Sequence, residues 1–468
     1  MYVCVRNRTK AWVTPRILVS SRGSKMSAVG ASIPKAHVLH SRPPSFTLDL
    51  LLPPTTRWAG ILDIFTIEML SAWNHIFAWH NRSLFDSLTE DHFLSVERAV
   101  AHNFPEHAGE LYSIASEFAR LNISVTFVYL CAWAYSHELA HTELAVSSRS
   151  DGCTALIAED DAGHIHHVAL MDQEPIEIRW VVVHVRFALG EQILCEGSDW
   201  YWFTSGLTRM VRKGTASLQE NWRWPPTKLL HRDRVLTDIT QGVMPQSWIF
   251  RSVLSAPALR DFQTLVSHLV EMRMGAPYYV AIGGIRSGEG AIFARAGLGE
   301  VGSLAGPGVQ RLLASNGTWY LVQTNSDRWN PDPESDCRRT YAERALDEAG
   351  RKRGATELGL LGIANIFPIR NPTTSHIAVM NAAAGTINTF VLEPTIVIDV
   401  EEYGQIVYAN IDPTSFWGEP AKNPWLHAEE DVRKKTRPRE QPVNIVLLIT
   451  VPVFGLACLA PHRRQPVM

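Results

Sequence analysis

Residues 151–172 constrain this chain more than any other stretch, because they predict two strands joined by a tight turn, with a cysteine at their head. Residues 154–158 are apolar and β-branched, residues 160–163 have the composition of a turn, and residues 164–171 resume the strand pattern. Cys153 is therefore either a nucleophile at the start of a hairpin or a small buried residue, as most free cysteines are. The rest of the chain has to decide between these two roles.

Length and composition narrow the class of protein. At 468 residues, with 46% hydrophobic and 19% charged residues, the chain has room for two or three globular domains. A net charge of −3 gives no electrostatic reason to expect a nucleic-acid partner. The six cysteines are scattered without a C-x-x-C pair, which excludes a dense disulfide framework or a zinc ribbon. Four sequons, at Asn7, Asn81, Asn122 and Asn316, are weak indications of a secretory route.

The two ends of the chain differ from its middle. Residues 1–42 lack the clean apolar core of a signal peptide, and we interpret them as disordered or as a targeting remnant. Residues 413–442 are rich in Pro, Lys, Arg and Glu and predict a linker. Residues 443–460 are uncharged and apolar with basic flanks, so residues 443–468 form a possible membrane anchor, although Pro452 and Gly455 weaken this interpretation.

Between these ends, the hydrophobic pattern changes from helical to strand-like near Cys153. Residues 46–50 alternate at strand period, and helices are predicted over residues 61–79, 91–99, 106–121 and 125–145. Later strands are predicted at residues 178–187, 201–203, 278–283, 291–294, 319–323, 376–380 and 388–392, with helices at 248–272 and 340–349. Strand pairs flanked by helices indicate stacked antiparallel sheets covered by helices. We therefore divide the middle into a helical region, residues 43–152, and a strand-rich domain, residues 153–412.

A second motif competes with the cysteine. Residues 137–141 match the H-E-x-x-H signature in a predicted helix, where His137 and His141 would bind zinc and Glu138 would act as general base. Matches of this length also occur by chance, and Leu144 and Ser147 stand where a metzincin would continue with glycine and histidine. A zinc hydrolase is therefore the weaker alternative.

Six stretches of the chain carry a likeness to known proteins: residues 43–58, 110–128, 153–167, 277–290, 319–329 and 336–340. In this order they resemble the acid ceramidase and N-acylethanolamine-hydrolysing acid amidase family, and the likeness covers roughly residues 43–395. The resemblance implies an α+β protein with the four-layer αββα fold of an N-terminal nucleophile hydrolase and an N-terminal helical layer. It also implies a precursor cut before Cys153, which leaves a helical small subunit bound to a catalytic large subunit.

The same resemblance assigns roles to four residues. Cys153 would be both the nucleophile and a new N-terminus, whose α-amine, with a pKa of about 7.7–8.0, suits removal of the thiol proton. The side-chain amide of Asn325 would stabilise the oxyanion. Asp172 would hold the amine, and Arg338 matches the arginine of the Asp-x-Arg-Arg-Thr segment. We expect no cofactor and no metal ion.

The implied reaction is hydrolysis of the amide bond of an N-acyl lipid, either ceramide or an N-acylethanolamine, presented at a membrane or micelle. The implied location is the lysosome or another acidic secretory compartment. One departure opposes activity: Ala169 and Leu170 replace the family's arginine and asparagine, and an alanine supplies neither charge nor donors. Because such a loss can cost on the order of 10²–10³ in rate, the second hypothesis is an impaired member that only binds lipid or protein. Arg179 and Arg186 are the candidate replacements.

Overall fold

The structure is a computed structural model. It describes residues 42–65, 73–74, 76–77, 85, 88–140, 142, 152–201, 209–223, 231–296, 304–313, 316–333, 336–392, 395–400 and 405–410. The predicted N-terminal remnant (apart from residue 42), the linker and the apolar tail lie outside these ranges, and the domain boundaries remain predictions. Within these ranges, no helix combines the length and the apolar character needed to cross a bilayer.

The described chain opens with one strand and a helical layer. Strand β1 (Ser45–Asp49) is followed by short 3-10 turns and then by the helices α1 (Glu90–Asn103), α2 (Pro105–Arg120), α3 (Phe127–Ala134) and α4 (Ser136–Ala140). Thr89 begins α1 with a capping box: its hydroxyl accepts the His92 N–H, and the His92 side chain accepts the Thr89 N–H. The single helix predicted over residues 125–145 is wrong in its length, because α3 ends at Ala134 and the separate helix α4 ends at Ala140. Tyr135 caps α3, and its hydroxyl is anchored on the carbonyl of Val243 at 2.9 Å.

The cysteine hairpin forms as predicted. Strands β2 (Gly152–Glu159) and β3 (Ile165–Asp172) pair antiparallel, with Gly152 opposite Asp172 and Cys153 opposite Met171. In the turn, Asp160 Oδ1 accepts the backbone N–H groups of Ala162 and His164. Every residue of β2 is buried, as expected for an inner strand that is covered on both faces.

The larger of the two main sheets has eight strands in the order β1-β4-β5-β6-β7-β8-β9-β10. Its further members are β4 (Val182–Leu189), β5 (Gln192–Trp200), β6 (Arg209–Arg212), β7 (Ala216–Trp222), β8 (Tyr278–Gly283), β9 (Gly290–Arg295) and β10 (Leu304–Arg311). Strand β1 pairs with β4 in parallel, and the other neighbours are antiparallel. Between β7 and β8 lie the helices α5 (Arg232–Thr240), α6 (Gln246–Ser255) and α7 (Phe262–Glu271).

The smaller sheet has five strands in the order β11-β2-β3-β12-β13, all antiparallel. It adds β11 (Tyr320–Gln323), β12 (Thr374–Asn381) and β13 (Thr386–Val391) to the cysteine hairpin. Between β11 and β12 lie α8 (Arg338–Ala349), α9 (Arg351–Gly354) and α10 (Glu357–Ala364). A last hairpin, β14 (Thr395–Val400) with β15 (Gln405–Asn410), forms a separate two-stranded sheet.

The two main sheets stack face to face, and each is covered by helices on its outer side. Between the sheets, Ala155 and Ile157 of β2 share an apolar cluster with Ala281 and Ile292 of the larger sheet. Leu156 and the other outward residues of β2 and β3 pack with α8 and α10, while the first helices and α6 and α7 cover the larger sheet. This arrangement confirms the expected α+β class with an αββα layering.

Several predicted elements are corrected. Residues 176–181 form a 3-10 turn before β4 begins, where a strand was predicted. The helix predicted at 248–272 is two helices, because Pro257 interrupts it and Asp261 caps a new helix through the Thr264 N–H. Of the helix predicted at 61–79, residues 61–64 form a 3-10 turn, and most of the remainder lies outside the described residues. The strand predicted at 201–203 is wrong at Tyr201, which follows the end of β5 as a turn residue.

Candidate active site

Cys153 is the second residue of β2, and its side chain faces the gap between the two sheets. It alternates with Thr154, so it shares a face with Ala155 and Ile157 of the inter-sheet cluster. The residue is 3% exposed, and its Sγ lies 3.4 Å from the Met171 sulfur. Burial raises the pKa of the Cys153 thiol to about 12. The thiol of the intact chain is therefore neutral, and its activation requires a base.

Asn325 and Arg338 meet at the backbone of Cys153. The Cys153 N–H donates to Asn325 Oδ1 at 2.8 Å, and one Arg338 nitrogen donates to the same oxygen at 2.7 Å. The Asn325 amide nitrogen donates in turn to the Trp222 carbonyl at 2.7 Å. These partners agree on the orientation of the amide, in which its oxygen and not its nitrogen faces Cys153. In the intact chain, only the second hydrogen of that nitrogen remains for an oxyanion.

Two carboxylates hold Arg338. One guanidinium nitrogen donates to Asp172 Oδ2 at 2.5 Å and to the Cys153 carbonyl at 3.3 Å, and Asp336 accepts from two others at 2.7 and 2.9 Å. Thr374 donates to the other oxygen of Asp172 at 2.6 Å. Burial raises the pKa of Asp172, while Arg338 and Thr374 oppose that rise. Burial alone would lower the pKa of Arg338, but Asp336 and Asp172 outweigh it and hold that pKa above its ordinary value.

The four residues assigned by resemblance are thus brought together by three separate parts of the smaller sheet and its helices. Cys153 and Asp172 lie at the open end of the hairpin, where β2 begins and β3 ends, Asn325 follows β11, and Arg338 begins α8. Gly152 completes the contact, because a Cβ atom there would lie 2.8 Å from an Arg338 nitrogen and 2.9 Å from Asn325 Oδ1. The residue before Cys153 must therefore be the smallest one.

The loop that carries Asn325 is fixed by the larger sheet. Asn221 of β7 donates to the Gln323 carbonyl at 2.8 Å. The Asp327 carboxylate accepts hydrogen bonds from Nε and one terminal nitrogen of Arg223, at 2.7 and 2.9 Å, and from the Tyr279 hydroxyl at 2.6 Å. Such a bidentate pair sets position and orientation together. The Asn-Ser-Asp part of this segment therefore combines one site residue with one structural residue.

Sequence reasoning did not assign several groups that contact the site. Thr374 binds Asp172, Asp336 binds Arg338, and the Trp222 carbonyl binds Asn325. Asp336 had a signal, because it lies in the Asp-x-Arg-Arg-Thr segment two residues before Arg338. Thr374 and the Trp222 carbonyl had none, since each reaches the site from a strand distant in the chain.

Ala169 stands in an apolar part of the inter-sheet gap. It packs with Val211 of the facing sheet and with small or aliphatic neighbours, Ala378, Met380 and Ile387. Leu170 points the other way, into the core beneath the outer helices. Of the two candidate replacements for a guanidinium, Arg186 is exposed, and Arg179 donates to the carbonyls of Leu392 and Pro372.

The described side chains of the H-E-x-x-H motif make contacts with neighbouring protein groups. The His137 Nδ1 atom lies 2.7 Å from Gln246 Oε1, and the ring stacks on Trp222. Glu138 accepts the Gln246 N–H at 2.8 Å. His141 lies outside the described residues, and among those that are described no three His, Cys, Asp or Glu side chains are grouped to hold a metal ion. The arrangement therefore lends the zinc alternative no support.

No protein-family model matches the chain. The chain is 27% identical over 363 residues to the N-acylethanolamine-hydrolyzing acid amidase of Cavia porcellus, which covers 73% of this chain and 88% of that protein. It is 26% identical over 254 residues to the acid ceramidase of Homo sapiens, which covers 51% of this chain and 61% of that protein. A solved structure of the Caenorhabditis elegans N-acylethanolamine-hydrolyzing acid amidase ortholog is 25% identical, with a TM-score of 0.45, and covers 51% of this chain and 100% of that one. The amidase of Cavia porcellus and the ceramidase of Homo sapiens confirm the resemblance of the chain to the acid ceramidase and N-acylethanolamine-hydrolysing acid amidase family.

Proposed function

We propose that this chain is an amidohydrolase of N-acyl lipids that uses Cys153 as its nucleophile after the bond between Gly152 and Cys153 has been cut. One observation carries the assignment: the Cys153 N–H, which cleavage would turn into an α-amine, donates to Asn325 Oδ1 at 2.8 Å. The same oxygen accepts from Arg338, which also binds Asp172. A polar network built around a backbone nitrogen suits an N-terminal amine.

Cleavage follows from ordinary thiol chemistry. The Cys153 sulfur attacks the Gly152 carbonyl carbon, and the C–N bond between the two residues breaks as the thiol proton passes to the leaving nitrogen. Arg338 lies against Gly152, and its charge favours the oxyanion that forms on the way. Water then hydrolyses the thioester, which releases a carboxylate at Gly152 and restores the thiol of Cys153.

The cleaved protein would repeat this chemistry on a lipid. The new α-amine takes the thiol proton, the thiolate attacks the amide carbonyl of the substrate, and the amine half leaves with that proton. Water hydrolyses the acyl thioester to a fatty acid. The local charges suit the new ammonium group, because Arg338 faces two carboxylates, Asp172 and Asp336. The positive charge of the ammonium group would balance the second of these carboxylates, since Arg338 alone balances only one.

The names of the relatives support the choice of substrate. They act on N-acylethanolamine or on ceramide, both of which join a fatty acyl group to a nitrogen. We therefore propose such an N-acyl lipid, presented at a membrane or micelle, as the substrate of this chain. The word acid in both names supports an acidic compartment such as the lysosome, and the small subunit would stay bound after the cut.

A second candidate is a protein that binds lipid without cleaving it. Ala169 favours this candidate, because its side chain faces the gap between the sheets, offers no polar group and has apolar neighbours. The two candidates differ in one observable, the chemistry of Cys153.

The deciding experiment follows the chain and a lipid amide together. Purified protein is incubated from about pH 4 to about pH 8, around the ordinary pKa values of carboxyl and α-amino groups. Intact mass and turnover of ceramide and of an N-acylethanolamine are then recorded. We expect a fragment that begins at Cys153 and turnover that Cys153→Ser abolishes.

The matched control is Cys195→Ser, which changes another buried free cysteine of the same strand-rich domain. It should leave both the fragment and the turnover unchanged. A chain that stays intact and inert over the whole pH range would reject catalysis and favour the binding protein.

A further inference from the structure

The gap between the sheets contains a buried guanidinium that the site described above does not include. Arg209 is the first residue of β6 in the larger sheet and has 0% exposure. It donates to the Leu170 carbonyl of β3 at 2.7 Å, across the gap. Leu170 directly precedes Met171, which pairs with Cys153 and touches its sulfur. Arg209 therefore enters the gap beside the nucleophile from the opposite sheet.

Neighbouring contacts define the same part of the gap. Gln219 of β7 pairs with Arg209 and donates to the Thr154 carbonyl at 3.0 Å, next to Cys153. Val211 lies two residues after Arg209, on the same face of β6, and contacts Ala169. The larger sheet thus places the guanidinium of Arg209 and the amide of Gln219 against the backbone beside Cys153. The apolar side chain of Val211 fills the space at Ala169.

We propose that Arg209 is a positioning residue that stabilises the thiolate of Cys153 through its charge, from the strand that faces the nucleophile. This role rests on the proposed function and adds a residue to it. A guanidinium remains protonated at every working pH, and a buried one acts through a medium of low effective dielectric. It would favour both the thiolate and the anionic intermediate formed from it.

The electrostatics of the gap agree with this geometry. Burial is the largest influence on the Cys153 thiol and raises its pKa, and Arg209 is the strongest of the charges that lower it, ahead of Arg338. The other titratable groups facing this region are His167 of β3 and His376 of β12. Burial lowers the pKa of both, and Arg209 lowers it further, so both are neutral at working pH. Glu220 and Asp172 act in the opposite direction on the thiol.

The test measures the thiol directly and needs no turnover. Iodoacetamide modification of the Cys153 peptide is followed by mass spectrometry from about pH 6 to about pH 10, in the intact and in the cleaved protein. Burial holds the pKa of the wild-type thiol at about 12, above this whole range, so the rate follows the small fraction of thiolate. We expect Arg209→Gln to slow modification about tenfold at each pH, the effect of a rise of about one unit in the thiol pKa. Arg209→Lys keeps the charge and should recover most of the rate.

Arg295→Gln is the matched control. Arg295 is equally buried, lies in the same sheet and donates to the carbonyls of Val270 and Met272, away from the nucleophile. It should leave the Cys153 profile unchanged, and the Cys195 peptide should react alike in every variant. If Arg209→Gln does not fold, Arg209→Lys decides: a folded Lys variant that is modified clearly more slowly overturns the role, and an unchanged rate supports it. A wild-type profile in Arg209→Gln also overturns it, whether or not the chain hydrolyses lipid.

Discussion

Glu220 makes the stability of this protein sensitive to pH in a way that one substitution can reveal. It lies on β7, fully buried, on the face that meets the helices, with an oxygen 3.8 Å from His137 Nδ1. Burial raises the pKa of Glu220 from 4.5 to about 7, although Gln246 and Arg209 oppose the shift. A group with a raised pKa contributes stability below its unfolded pKa and loses it as the pH rises through the folded one.

The size of the effect follows from the two pKa values. A difference of 2.5 units corresponds to about 3.4 kcal/mol in total, of which about 2.5 kcal/mol falls between pH 5 and pH 8. Glutamine has nearly the same shape and does not titrate. Relative to the wild type, Glu220→Gln should therefore gain about 2.5 kcal/mol in unfolding free energy over that range.

Urea unfolding at several pH values measures this difference through tryptophan fluorescence. A Cys153→Ala background removes the proposed cleavage, so that one species unfolds at every pH. Glu191→Gln, at an exposed position in the β4–β5 hairpin, is the control and should follow the parent at every pH. Parallel curves for Glu220→Gln and its parent would refute the reasoning, because they would mean that Glu220 keeps the same pKa when the protein unfolds.

Three further outcomes follow from the site. Gly152→Ala brings a Cβ atom within 2.8 Å of Arg338, so we expect the fragment to appear on the order of tenfold more slowly; a normal rate by mass spectrometry would contradict this. Thr374→Val removes the 2.6 Å bond to Asp172 and should cost about 1–2 kcal/mol in urea unfolding, with slower cleavage; an unaltered unfolding curve would count against the bond. Ala169→Arg buries a charge in an apolar cluster and should lower the thermal midpoint by several degrees; an unchanged midpoint together with higher activity would show that the gap accepts it.

The elements that the sequence predicts well are those whose pattern is local. The cysteine hairpin combines a strand, an Asp-rich turn and a second strand, and its register follows from that short segment. By contrast, β7 (Ala216–Trp222) was missed, because its inward side chains are polar. Gln219 and Asn221 are buried in the gap, where they bind backbone carbonyls of the smaller sheet. No alternation of apolar residues marks such a strand.

The same distinction holds for the site. Four of its residues are predicted from motifs, because each motif is a short segment with recognisable residue types. The sequence gives no distance between Arg338 and Asp172, which lie 166 positions apart. Nor does it show that Asn325 turns its oxygen toward Cys153, because that depends on the Trp222 carbonyl behind it. Contacts that form only when the two sheets stack cannot be predicted from a single sequence.

The pairing of β1 with β4 bears on the order of events during biosynthesis. Strand β1 precedes the proposed cut, and β4 follows it, yet the two pair in parallel over five residues at one edge of the larger sheet. Beneath them, the buried Glu110 of the first half binds Arg57 and, at 2.6 and 2.7 Å, Arg251 of the second. While the chain is whole, its own connection limits the search for this pairing to loop closure. Two fragments made separately would have to find each other by diffusion, and each would expose an unpaired edge open to aggregation. We therefore expect the cut to be kinetically one-way: the whole chain reaches a fold that its severed halves do not regain after denaturation.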